Sequence, residues 1–257
     1  MIYINRLGKC LTYPGNMLQK EEKMQRLYHY TSFNSFVRIW LTKTLKFGEI
    51  PNMNDMFEHN NSAQSNLLNV NHLDLFHKER RKYKQISLTM DYDSFTQGCM
   101  SPMMWGVYAD KAKGVCIELD YNKLQKHIKD SMLHDSIYYV QNLPEPPLIT
   151  SEAVNDFDSF FRKNQKDIFF TKHESWANEN EYRIISKDDD ILNIEEAISA
   201  IYITKCNSTE CECIEKLLKD NNGIFFGCIY QDSMSNIGTY YNICNVEYRK
   251  QAYKHNK

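Results

Sequence analysis

Short apolar or alternating runs and longer stretches with apolar residues every three or four positions follow one another along the chain, and they predict interleaved strands and helices. Leu27-Tyr28-His29-Tyr30 reads as a strand, Thr31 or Ser32 as a helix N-cap, and Phe33, Phe36, Val37, Trp40 and Leu41 as the buried stripe of the next helix. Strands are also predicted over Leu45–Phe47, Ile86–Met90, Gly114–Leu119, Ile137–Val140, around Tyr182, Ile184 and Ile185, and over Ile198–Thr204, Ile224–Tyr230 and Ile243–Tyr248. Helices are predicted over Ala63–Lys84, from the Ser101-Pro102 start, and over Tyr121–Ser131, Glu152–Phe170 and Thr209–Lys219. No internal repeat or interdomain linker interrupts this order. The expectation is a single α+β domain over residues 26–250, with a mixed or antiparallel central sheet flanked by helices. Residues 1–25, broken by Pro14-Gly15, read as an N-terminal extension and residues 251–257 as a C-terminal tail.

Composition narrows the class without choosing a partner. The 257 residues are enough to bury a sizeable core, and 17 Tyr and 13 Phe against 9 Gly and 6 Pro suit a packed, stranded protein. A formal net charge of −2 gives no strong nucleic-acid signal, although His77–Lys84 is a local basic run. No stretch approaches the ~20 apolar residues of a membrane span, and the N-terminus lacks the apolar core of a signal peptide. No membrane partner and a cytoplasmic location are expected. The eight cysteines are scattered, and Cys206, Cys211 and Cys213 form a poor zinc knuckle, so buried reduced thiols are expected in place of a metal site.

Candidate chemistry gathers where polar side chains meet rigid elements. In Phe169–Ser186 a polar segment with Lys172, His173 and Trp176 leads to Glu179 and Glu181, and then to the strand carrying Arg183. A carboxylate at the mouth of a strand is held by a rigid element, as catalytic acids often are. The plainer alternative is an exposed acidic loop before an edge strand, with Arg183 paired to Glu181. The other two places are Tyr28-His29-Tyr30-Thr31 and Trp105–Tyr108; His29, Trp105 and Glu181 could share one aromatic-walled cleft, or each could serve packing alone. Asn54, Asp55 and Glu58 either contribute or fix a turn.

These motifs also carry a resemblance. LYHYTS, IPNMNDMFE, ISLTM, MMWGVYADKAKGVCIELD and TKHESWANENEYRII match in order and spacing the bacterial family known as domain of unknown function 2971, from Leu27 to about Ile185. Met56 stands where that family usually has proline, and Gly106-Val107 where it has a Ser-His-like pair. More remotely, the arrangement resembles the ADP-ribosyltransferase superfamily. That resemblance implies an ADP-ribosyltransferase-like fold and NAD as substrate, with His29 on the nicotinamide-side ribose, Tyr108 or Tyr30 stacked on nicotinamide, and Glu181 polarising the ribose hydroxyl. Glu179 would orient or deprotonate the acceptor, Thr31, Trp105 and Arg183 would complete the binding surface, and no metal is required. The implied activity is ADP-ribosyl transfer to an unidentified acceptor macromolecule, or NAD glycohydrolysis, in toxin or phage-defence biology. The alternatives are a non-catalytic module that senses a nucleotide-like small molecule or a protein segment, and a magnesium hydrolase or nuclease using Asp55, Glu58, Glu179 and Glu181.

Overall fold

A computed structural model describes residues 3–4, 10–11, 26–52, 70–93, 96–145, 147–221, 223–232 and 240–255. The strands are β1 (Tyr3–Ile4), β2 (Cys10–Leu11), β3 (Arg26–Thr31), β4 (Thr44–Lys46), β5 (Gly48–Glu49), β6 (Lys84–Met90), β7 (Val115–Asp120) and β8 (Leu133–Ser136). They continue with β9 (Tyr138–Val140), β10 (Thr171–His173), β11 (Glu181–Ser186), β12 (Ile191–Asn193), β13 (Ile198–Ile203), β14 (Phe225–Asp232) and β15 (Tyr240–Asn245). The helices are α1 (Phe33–Thr42), α2 (Val70–Arg80), α3 (Pro102–Tyr108), α4 (Tyr121–Gln125), α5 (Ser151–Asn155), α6 (Phe157–Lys163), α7 (Gln165–Phe169), α8 (Thr209–Leu218) and α9 (Val246–His255).

Among the described residues nine strands form the central sheet, in the order β15-β14-β13-β7-β3-β6-β11-β8 with β5 also paired to β6. Of the pairs described within it only β13–β14 is parallel, joined through α8, so the fold is α+β with a mixed, mostly antiparallel sheet. Side chains alternate across this sheet. Leu27, Ile86, Leu88, Ile117, Leu119, Tyr182, Ile184, Ile201 and Ile203 share one face in a continuous core with Phe36 and Trp40 of α1, Leu124 of α4, and Cys211, Ile214 and Leu218 of α8. The opposite face carries two separate clusters. Tyr28, Tyr30, Cys116, Ala200 and Tyr202 pack with Met104 and Trp105 of α3, whereas Ile185 packs with Phe76 of α2 and Phe157, Phe161, Ile168 and Phe169 of α6 and α7.

Several local outcomes differ from the periodicity. The helix expected over Glu152–Phe170 is three short helices, because Asp156 leaves helical geometry and caps α6 by accepting from Ser159 N–H at 3.0 Å, and Asn164 interrupts again. The expected Tyr121–Ser131 helix stops at Gln125, and the 131–136 stretch supplies the edge strand β8. The run expected to stay helical to Lys84 ends at Arg80, freeing Lys84 and Gln85 to pair with β5 and β11. The expected strand Ile243–Tyr248 divides between β15 and α9, at a point where Asn245 Oδ1 accepts from Glu247 N–H at 2.8 Å. Residues 63–69 of the expected helix, with Asn54, Asp55, Met56 and Glu58, lie outside the described residues. Among the described residues no helix is long and apolar enough to cross a membrane.

Candidate functional site

The Phe169–Ser186 stretch forms β10, a 3-10 turn over Glu174–Glu179, and then β11. His173 opens the turn by accepting from Ser175 N–H at 3.2 Å. Asn180 closes it in the left-handed region at φ 43°, which a short polar side chain tolerates. The Asn180 amide donates to the carbonyls of Met90 at 3.3 Å and Asp91 at 2.9 Å, fastening the turn to the end of β6. Glu179 and Glu181 therefore do not share one side of an extended chain; a turn residue separates them, yet both reach Lys172.

Lys172 Nζ lies 2.8 Å from Glu179 Oε2 and 2.8 Å from Glu181 Oε2. Arg183 adds a fork to Glu181, Nε donating to Oε1 at 2.7 Å and Nη2 to Oε2 at 3.0 Å, while Nη1 donates to the Phe169 carbonyl at 2.7 Å. The Tyr108 hydroxyl donates to Glu179 Oε1, and Glu181 N–H donates to Tyr139 Oη at 3.0 Å. Trp176 stands with its ring centroid 5.6 Å from Lys172 Nζ. All four charged groups are buried, two of each sign, so the cluster is neutral in sum. Burial alone would raise the Glu181 pKa, but Arg183 first and Lys172 next hold it well below the ordinary carboxylate range. The pairing of Arg183 with Glu181 follows the plainer sequence reading; the exposed loop and edge strand do not, since both glutamates are buried and β11 lies between β6 and β8.

The opposite edge of β6 is divided. Met90 and Thr89 pair with Leu27 and Tyr28 of β3, and Gln85 and Lys84 pair with Gly48 and Glu49 of β5. Among the described residues Ile86, Ser87 and Leu88 have no strand on that edge, and Ser87, although inside a nine-stranded sheet, is exposed. Gln85, Ser87 and Thr89 share the face that also carries Glu181 and Arg183, paired across β11 as Glu181↔Thr89 and Arg183↔Ser87. A polar seam thus runs between the two apolar clusters of that face.

The structure divides the residues named from sequence. Glu179, Glu181, Arg183 and Tyr108 meet in the seam, with Lys172 and Tyr139, which sequence reasoning did not assign to the site. His29 does not join them, because it shares a face of β3 with Leu27 on the continuous-core side. Its ring reaches the Ser87 backbone at the sheet gap, and burial pushes the imidazole down to about 4, leaving it neutral at pH 7. Tyr30 and Trp105 pack edge-on, centroids 5.3 Å apart, the Tyr30 hydroxyl donating to the Gly98 carbonyl at 2.5 Å and the Trp105 indole to the Cys99 carbonyl at 2.7 Å. They are core rings with satisfied polar tips and no free face for a ligand. Thr31 is buried where β7 begins, and a Cβ on Gly114 would sit 2.1 Å from the Thr31 carbonyl oxygen, so this approach of β3 to β7 requires glycine. The signal for the seam was present as polar alternation in KQISLTM, and the signal for Lys172 was its nearness in sequence to the two glutamates. Among the described residues no group of three or more His, Cys, Asp or Glu side chains is placed to hold a metal ion.

Residues 104–184 match the family model described as protein of unknown function (DUF2971), a stretch that includes Tyr108, Tyr139, Lys172, Glu179, Glu181 and Arg183. No curated protein and no solved structure matches the chain.

Proposed function

We propose, from the premise that this chain belongs to the DUF2971 family, that its polar seam binds a nucleotide-like ligand and that the ligand acted on is NAD. The observation that carries the reading is the exposed Ser87 in an interior strand, at the floor of a seam edged by buried carboxylates. A polar strip between two apolar clusters, buried except where it opens to solvent at Ser87, has the make-up of a small-molecule site. Departure of nicotinamide leaves an oxocarbenium-like carbon, and a fixed carboxylate stabilises that charge as it develops. Glu179 suits this part better than Glu181. The Glu181 oxygens are both engaged by Arg183 and one also by Lys172, whereas among the described residues Glu179 accepts from Lys172 at one oxygen and, at the other, from Tyr108, which is itself partly exposed. In this reading Glu181, Arg183 and Lys172 set the position of Glu179, and His29 supports the gap from the other face. An activity that consumes NAD or attaches ADP-ribose to an acceptor suits a toxin or phage-defence role.

The test is NAD binding and nicotinamide release by the purified chain beside Glu179→Gln, Tyr108→Phe and His29→Ala variants shown to be folded. Release lost in Glu179→Gln, reduced in Tyr108→Phe and retained in His29→Ala is the expected pattern. Absence of both binding and release in the wild type, with candidate acceptors present, sinks the proposal. A second reading, a sensor that binds without turnover, is favoured by the full engagement of Glu181; binding without release in every acceptor condition selects it.

A further inference from the structure

We propose that Gln85 and Ser87 form a recognition edge for a ligand group presenting a hydrogen-bond acceptor beside an N–H donor. That is the pattern of a primary carboxamide and of the amino edge of adenine. The inference rests on the reading of the seam as a ligand site and names the group held at its floor.

Gln85 is 3% exposed, and its amide nitrogen donates to Ser87 Oγ at 3.3 Å. Its carbonyl Oε1 is buried and has no hydrogen-bond partner among the described residues. Buried acceptors are nearly always satisfied, so one left open beside an exposed hydroxyl marks a place where another molecule completes the bonding. Ser87 accepts from Gln85, which leaves its own hydroxyl hydrogen to donate, and Gln85 Oε1 remains to accept. A carboxamide matches both: its carbonyl takes the Ser87 hydrogen and its N–H meets Gln85. The adenine edge matches in the same sense, through its ring nitrogen and amino group. Exchanging the Gln85 amide atoms reverses donor and acceptor but keeps one of each side by side, and a carboxamide still fits.

The surroundings suit such a group. The cross-strand neighbour of Gln85 on β5 is Gly48, which places no side chain beside it. Ser87 opens to solvent at the sheet gap, so a ligand arriving there meets the hydroxyl first and Gln85 by rotation of its terminal amide.

Saturation-transfer NMR on the full chain, with matched probes, tests this. Nicotinamide is compared with nicotinic acid, which lacks the N–H donor, and adenosine with purine riboside, which lacks the amino group. The expected result is a preference of roughly ten-fold for the donor-bearing member of one pair, identifying its source, and loss of that preference in Ser87→Ala and Gln85→Leu. Because Gln85→Leu removes an open polar atom from a buried site, its melting temperature should not fall, which separates lost recognition from lost fold. No preference in either pair, or a preference that survives both substitutions, overturns the proposal. A preference lost in the variants without nicotinamide release from NAD leaves this edge standing and removes the cleavage reading. Release that proceeds unchanged in both variants does the reverse.

Discussion

The two faces of the central sheet are covered in different ways. On one, α1, α4, α8 and α9 close over an unbroken apolar surface from β11 to β14. On the other, apolar cover comes in two pieces, and between them lie Gln85, Ser87, Thr89, Glu181 and Arg183, with Lys172, Glu179 and Tyr108 arriving from outside the sheet. An unbroken face holds the fold by area removed from water. An interrupted face trades some of that area for buried charges that must satisfy one another, and there a small change in partner has a large effect.

Substitutions on the two faces sharpen this contrast. The largest loss is expected from Lys172→Met, which leaves Glu179 and Glu181 buried without their shared cation; breaking such a cluster costs about 3–5 kcal/mol, readable by urea denaturation at pH 7. A loss under ~1 kcal/mol would mean that the cluster is solvated and the faces are alike. The pH dependence follows from the lowered Glu181 pKa. A carboxyl held below its unfolded value contributes stability above the ordinary glutamate range near ~4.3 and loses it as pH falls through the folded value. The gap in stability between wild type and Arg183→Ala should therefore narrow as pH drops below about 4, and a constant gap would refute the assignment.

His29 gives a smaller effect from the continuous-core side. Its folded pKa of about 4 lies below the unfolded value, so the unfolded chain takes up the proton first as the medium acidifies. Stability is full above about pH 6.5 and declines toward pH 4, and His29→Gln should flatten that stretch of the pH profile by on the order of 2 kcal/mol. An unchanged profile would place His29 in solvent. Ile184→Val, within the unbroken core, should cost about 1 kcal/mol at any pH. Ser87→Ala should change stability by less than about 0.5 kcal/mol, because an exposed hydroxyl holds little of the fold together; a large loss would show that Ser87 is structural.

Strand periodicity located β3, β6, β7, β11, β13 and β14 to within a residue or two, because each carries apolar side chains on at least one face. The short helices were less legible. Asp156 and Asn164 break α5–α7 by capping within an otherwise apolar 3.6-residue pattern, and β8, with Leu133 its one buried residue, has almost no pattern to read. In the candidate site, Glu179, Glu181, Arg183 and Tyr108 were legible as polar groups at the ends of rigid elements. That His29 lies on the other face was not legible, because Leu27 and Glu181 mark opposite sides only once strand pairing is known.

Sequence by itself determined the alternation of elements, the α+β class, the resemblance now supported over residues 104–184, and the polar character of the Glu179–Arg183 segment. Those properties are local, written in residue type and spacing. Tertiary structure alone decided that β6 divides its edge between β3 and β5, that Lys172 joins two glutamates across a turn, and that the sheet separates His29 from them. Pairing register fixes which side of a sheet a residue faces, and register depends on partners distant in the chain, so no window of sequence contains it.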